Sequence, residues 1–84
     1  MAQTIRLLGS EAAIGSASNV GFAKLVRVLN NKGSVQAITL KNAGGTTLGT
    51  VTLAAGEAAY IQKAPTDTLT GAATSLAVSV AFSN

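Results

Sequence analysis

The sequence predicts an all-β fold: a small antiparallel β-sandwich, or flattened barrel, of roughly six to seven short strands in one domain over residues 1–84. Two observations carry that prediction. Stretches rich in Val, Ile, Leu and Thr recur every ~8–12 residues, separated by Gly, Asn, Asp or Pro. The last of them, residues 76–82, alternates strictly. Leu76, Val78, Val80 and Phe82 share one parity and Ala77, Ser79 and Ala81 the other, which marks a half-buried antiparallel strand. The larger residues are expected to face the core.

Taken in order, Thr4-Ile5-Arg6-Leu7 alternates and is ended by Gly9-Ser10, so residues 4–8 read as a strand at a sheet edge or against a neighbour. Residues 10–19 read as a loop holding a bridging strand pair around Ala13 and Ile14. Ser10 is placed to cap a helix, but Gly15 stops it within two turns, too short to hold in water. Residues 20–30, VGFAKLVRVLN, read as a strand with apolar groups on both faces, either covered on both sides or bulged near Lys24. Val20, Phe22, Val26 and Val28 share one of those faces, and Phe22 is expected in the core. A helix over residues 22–29 competes, and Val-Arg-Val-Leu and Gly21 weigh against it.

Asn30-Asn31-Lys32-Gly33-Ser34 reads as a turn, and residues 35–41 as a strand with Ile38 and Leu40 on one face. Asn42-Ala43-Gly44-Gly45 is a second turn, with glycines to supply positive φ. Together these predict a three-stranded antiparallel meander over residues 25–53. Residues 46–63 read as the hairpin on which the rest is arranged: strand, an Ala54-Ala55-Gly56-Glu57 turn, strand. Parity changes at Gly49, where a β-bulge is expected, and the bulge would let that strand serve both sheets. Ala64-Pro65-Thr66-Asp67 breaks the pairing, with Asp67 placed to accept from amides just downstream. Residues 68–70 read as a short strand before a Gly71-Ala72-Ala73 loop.

Composition bounds what such a domain can do. With 84 residues it buries about 60–65% of its unfolded surface, and small domains add disulfides, a metal or self-association. The chain has no Cys and no His, so a disulfide is impossible and a zinc site nearly so. Charged residues make up 11%, against about 25% in an average domain. A neutral surface of Thr, Ser, Asn, Gly and Ala suits an assembly subunit; a stable monomer with a Thr-rich skin is the plainer alternative. The net charge of +3 is scattered over Arg6, Lys24, Arg27, Lys32, Lys41 and Lys63, without a basic run. The start Met-Ala-Gln-Thr lacks a charged and apolar leader pattern, which fits intracellular synthesis, and no window reaches the ~18 apolar residues of a membrane span.

Chemistry is excluded largely by absence. A Ser-His-Asp or Cys-His site needs residues this chain lacks. Glu11, Glu57 and Asp67 are far apart in sequence and too few for calcium, and each has a plainer reading. Glu11 solvates a loop, Glu57 flanks a turn and Asp67 closes one. Gly44 to Gly49 loosely follows a phosphate loop, yet no GK[ST] follows and no helix begins there. The expectation is no enzyme, no cofactor and no metal. A single-strand nucleic-acid-binding barrel would need aromatic platforms beside a basic groove. Only Phe22, Tyr60 and Phe82 are aromatic; with Phe82 and Phe22 assigned to the core, Tyr60 is the one ring expected outside.

The run KLVRVLNNKGSVQAITLKNAGGTTLGTVTLAAGEAAYIQKAPTDTLTG resembles small virion-associated proteins of tailed bacteriophages, especially phages of marine cyanobacteria. The features that carry the resemblance are the strand Leu25-Val26-Arg27-Val28, the turn Leu53-Ala54-Ala55-Gly56-Glu57 and the corner Lys63-Ala64-Pro65-Thr66-Asp67. It covers about half the chain, in strands and turns. It implies a β-sandwich virion component present in many copies on the capsid surface, a decoration or cement protein made in the host cytoplasm. Its partner would be the major capsid protein or another virion protein. A tail- or fibre-associated adhesion module is the alternative. The expected contacts, within a homo-oligomer or with the shell, are an arm over residues 1–4, the edge strand after it, and the side chains Gln3, Thr4, Arg6, Lys24, Arg27 and Tyr60.

Overall fold

The structure, a computed structural model, describes residues 4–82. Its strands are β1 (Ile5–Leu7), β2 (Ala12–Ala13), β3 (Leu25–Asn30), β4 (Gln36–Lys41), β5 (Thr47–Leu53), β6 (Ala58–Gln62), β7 (Thr68–Thr70) and β8 (Ser75–Phe82). All pairings are antiparallel. The first sheet runs β1-β8-β3-β6, with β2 pairing β8 beside β1; the second runs β5-β4-β7. The fold is therefore the small antiparallel sandwich that the sequence predicts, with eight strands where six to seven are expected. No helix among the described residues is long and apolar enough to cross a membrane.

Connectivity departs from the expected meander. Between β3 and β8, only the β4–β5 link joins two partners; the β3–β4, β5–β6, β6–β7 and β7–β8 links all cross between the sheets. Residues 46–63 are thus an arch and not a hairpin. The Ala54–Glu57 turn forms as expected, with Gly56 at φ 77° and the Glu57 N–H donating to Ala54 O at 2.9 Å. The strands on either side of it face each other across the core instead of pairing. β5 pairs β4 alone and does not serve both sheets. Its bulge is where expected: Leu40 faces Gly49 and Lys41 faces Thr47, which leaves Leu48 as the extra residue.

The crossings are held by Asn30, a residue the sequence assigns to a turn and the structure buries completely. Its Nδ2 donates to Ser34 O (2.9 Å), Leu53 O (3.0 Å) and Ala54 O (3.0 Å), and its Oδ1 accepts from the Lys32 N–H (3.1 Å). Its backbone exchanges bonds with Gly56 and Glu57. One side chain thereby ties the end of β3 to two of the links that carry the chain between sheets at this end, β3–β4 and β5–β6.

The core lies between the sheets. Val26, Val28 and Ala77 come from one layer, Ile38, Leu53 and Leu69 from the other, and Ile14 and Ala23 from the crossing segments. β8 alternates as expected, but with its faces exchanged. Val26 pairs with Ser79 and Val28 with Ala77, so the small residues face the second sheet. Opposed residues on neighbouring strands share a face, so Leu76, Val78, Val80 and Phe82 lie on the outer face, with Leu7, Arg27 and Leu29 across from them. On the inner face Ala77 packs in the same buried cluster as Ile14. Val78 and Val80 are nonetheless buried, so this strand is covered on both sides.

Two further expectations are corrected. The strand predicted over residues 20–30 begins only at Leu25; Val20, Gly21 and Phe22 form a left-handed turn with φ of 53°, 67° and 59°. Asp67 does close its corner, but by accepting from the Ala64 N–H upstream at 3.1 Å and not from downstream amides. Residues 12–18 seal one side of the sandwich. Ile14 bonds Ser75 and Gly71, and Ser18 exchanges both backbone bonds with Leu69 on β7.

Candidate docking surface

At the end of the sandwich where β1 enters, a groove of about 570 Å³ runs past Leu8, Phe22, Lys24, Leu25, Ala81 and Phe82. Its most unusual wall is the left-handed turn. A β-branched residue in that region is an outlier, and a non-glycine residue there costs on the order of 1–3 kcal/mol. Local bonds hold it. Ser18 Oγ accepts from the Val20 N–H (3.0 Å), Asn19 Oδ1 from the Phe22 N–H (3.2 Å), and Asn19 O from the Ala23 N–H (3.2 Å). The turn drops Ala23 into the core and leaves Phe22 64% exposed. Phe22 and Phe82, both expected inside, are therefore surface rings, Phe82 at 45%.

The expected contact residues divide between two faces. Arg6 is exposed directly across from Ala81, and Lys24 is exposed on the groove wall, so these two cations flank the same groove. Thr4 is exposed and precedes Ile5, the partner of Phe82, so the chain leaves β1 at this end. Gln3 lies outside the described residues, as does most of the expected arm. Tyr60 reaches the margin through Phe82, their ring centroids 5.5 Å apart and tilted by 56°. Arg27 is not part of the group. It lies on the outer face opposite Tyr60 and pairs with Glu11 at 3.4 Å.

Among the described residues no carboxylate lines the groove. Glu57 Oε1 accepts from the Ala54 N–H (2.8 Å) and Asp67 closes the Ala64 corner, the turn roles expected of both. Glu11 is engaged with Arg27 and does not merely solvate a loop. Among the described residues no three acidic, His or Cys side chains come together. Lys63 is buried beside the corner, its Nζ donating to Ala64 O (3.2 Å) and Pro65 O (3.3 Å). Desolvation holds its ammonium below the ordinary lysine range, and Asp67 partly offsets that.

Leu8 and Phe22 were the residues that sequence reasoning missed. A signal for Phe22 was present: Ser18-Asn19 ahead of Gly21 is turn chemistry, which takes Phe22 out of strand parity. What the fold and surface define is a small β-sandwich with an apolar, cation-rimmed groove at one end. Comparison with protein-family models, curated proteins and solved structures found no match to this chain.

Proposed function

We propose that this chain is a non-catalytic structural component of a tailed-phage virion, a decoration protein that docks on the major capsid protein shell. The observation that supports docking is Phe22. A strained turn holds an aromatic ring in solvent, on a groove it lines with Leu8, Lys24 and Phe82, and Arg6 lies across from Ala81 of the same groove. Interface energy concentrates in aromatic and Arg anchors of this kind, and cations on a rim speed encounter with an acidic surface. The phage assignment rests on the resemblance of residues 24–71.

The test is in purified particles. Mass spectrometry is expected to find the chain at a copy number comparable with the shell subunit; its absence overturns the reading, and a handful of copies moves it to a tail or fibre. Phe22→Ala and Lys24→Glu are expected to weaken rebinding to stripped particles at least ten-fold with unchanged melting. Exposure of all three rings favours one second reading, a single-strand nucleic-acid binder that stacks bases on Phe22 and Phe82. A salt titration with oligo-dT separates the two: binding that falls steeply with salt supports it, and none at low salt ends it.

A further inference from the structure

The two sides of the sandwich are unlike. One is sealed by residues 12–18, which bridge β8 to β7. On the other, β5 and β6 are both outermost strands, joined by the arch, and an apolar groove of about 210 Å³ opens between the sheets beside them. Ile38, Leu40, Gly49, Val51, Ile61 and Leu69 line it. Val51 is 40% exposed although its cross-strand partner Ile38 is fully buried.

An outermost strand leaves about half its N–H and C=O groups without a ladder partner, and such edges are usually blunted by lysine, proline or a covering loop. β5 has none of these. Residues 42–56 contain no charged residue and no proline. Its side chains are also complementary to themselves. In an antiparallel pair of β5 strands centred on Thr50, Gly49 of each copy faces Val51 of the other. Nothing lies within 4 Å of where a Gly49 Cβ would stand, so a facing valine has room. The outer row becomes Thr50 against Thr50, with Thr39 and Thr70 continuing it inward on each side.

We propose that the β5 edge is a self-association site at which a second copy of this chain pairs antiparallel about Thr50, joining two three-stranded sheets into one of six and covering Val51. The inference stands on β5 alone and does not depend on the virion reading. Five paired residues per copy bury less than the roughly 1,000 Å² of a stable interface. The dimer is therefore weak in dilute solution and forms where copies are concentrated.

Disulfide trapping tests it, because these 84 residues contain no cysteine. Directly opposed residues place their Cβ atoms ~4.5–5.5 Å apart, close to disulfide reach. In the same register two copies of position 52 are about 13 Å apart. Both threonines are exposed, so Thr50→Cys and Thr52→Cys are expected to melt like the parent. Under mild oxidation at ~100 µM, Thr50→Cys is expected to form covalent dimer at least ten-fold faster than Thr52→Cys. Thr50→Lys sets like charges opposite each other and is expected to abolish the concentration-dependent protection of β5 amides from hydrogen exchange. Equal trapping at the two positions, no trapping at either, or unchanged protection in Thr50→Lys overturns the proposal.

Discussion

Replacing Asn30 by alanine removes a side chain that bonds two sheet-crossing links, β3–β4 and β5–β6, at its end of the molecule. The amide donates to three carbonyl oxygens, and of these the bond to Leu53 O is fully buried. An acceptor stranded there costs about 1–3 kcal/mol. The bonds to Ser34 O and Ala54 O and the acceptance from Lys32 are part-buried, so water partly replaces them at about 0.5–1 kcal/mol each. The sum is roughly 3–5 kcal/mol. A domain of 84 residues has about 4–13 kcal/mol in all, so the variant is near the limit of folding. In urea, with a slope near 1 kcal/mol/M, the midpoint is expected to fall by about 3–5 M, or to vanish. Asn30→Asp sharpens the test. Its carboxylate meets three carbonyl oxygens in a buried place, which raises its folded pKa above the unfolded value of about 3.9. Stability then falls as pH rises above that value, so this variant recovers on acidification toward pH ~4 while Asn30→Ala does not. A loss under about 1 kcal/mol for both, without pH dependence, would refute the view that Asn30 secures the crossings.

Three further outcomes follow from the same packing. Val80→Asp and Ser79→Asp are both expected to lower the thermal midpoint sharply, Val80 by about 3–5 kcal/mol, because one faces a covered outer surface and the other the second sheet; a mild Ser79→Asp would restore the half-solvated strand. Gly71→Ala places a Cβ 2.8 Å from Ile38 Cδ1 and 2.9 Å from Ser75 Oγ, for an expected loss of about 1–3 kcal/mol in urea, whereas Gly49→Ala meets open space and should be nearly silent. The depressed Lys63 ammonium makes the unfolded chain bind more protons in the window below the ordinary value of 10.5, so stability rises with pH there. Lys63→Met is expected to flatten that rise in melts taken as pH climbs toward 10.5.

Much of the fold was legible residue by residue. Gly45 and Gly56 take the positive φ their turns demand, Leu48 and Gly49 mark the bulge, and β7 and β8 lie within a residue of their expected bounds. Of the groove, Arg6, Lys24 and Thr4 were legible as exposed groups at one end, and Tyr60 as an outer ring. Phe22 and Phe82 were not, because parity was extended through a turn in one case and assigned to the wrong side in the other.

The sequence by itself determined where the strands run, where the chain turns, and that no His- or Cys-based chemistry is open to it. These are local properties, set by β-branching, by glycine and asparagine at left-handed positions, and by the residue inventory. Only the tertiary structure decided which sheet each strand joins and which face of each strand turns inward. The Ala54–Glu57 turn reverses the chain whether its flanking strands pair or face each other across a core, and period-two alternation separates two faces without saying which is inside. Both choices were made at a distance, by Asn30 tying crossings together and by the register with β3, which sets Ala77 and Ser79 beside the buried Val28 and Val26.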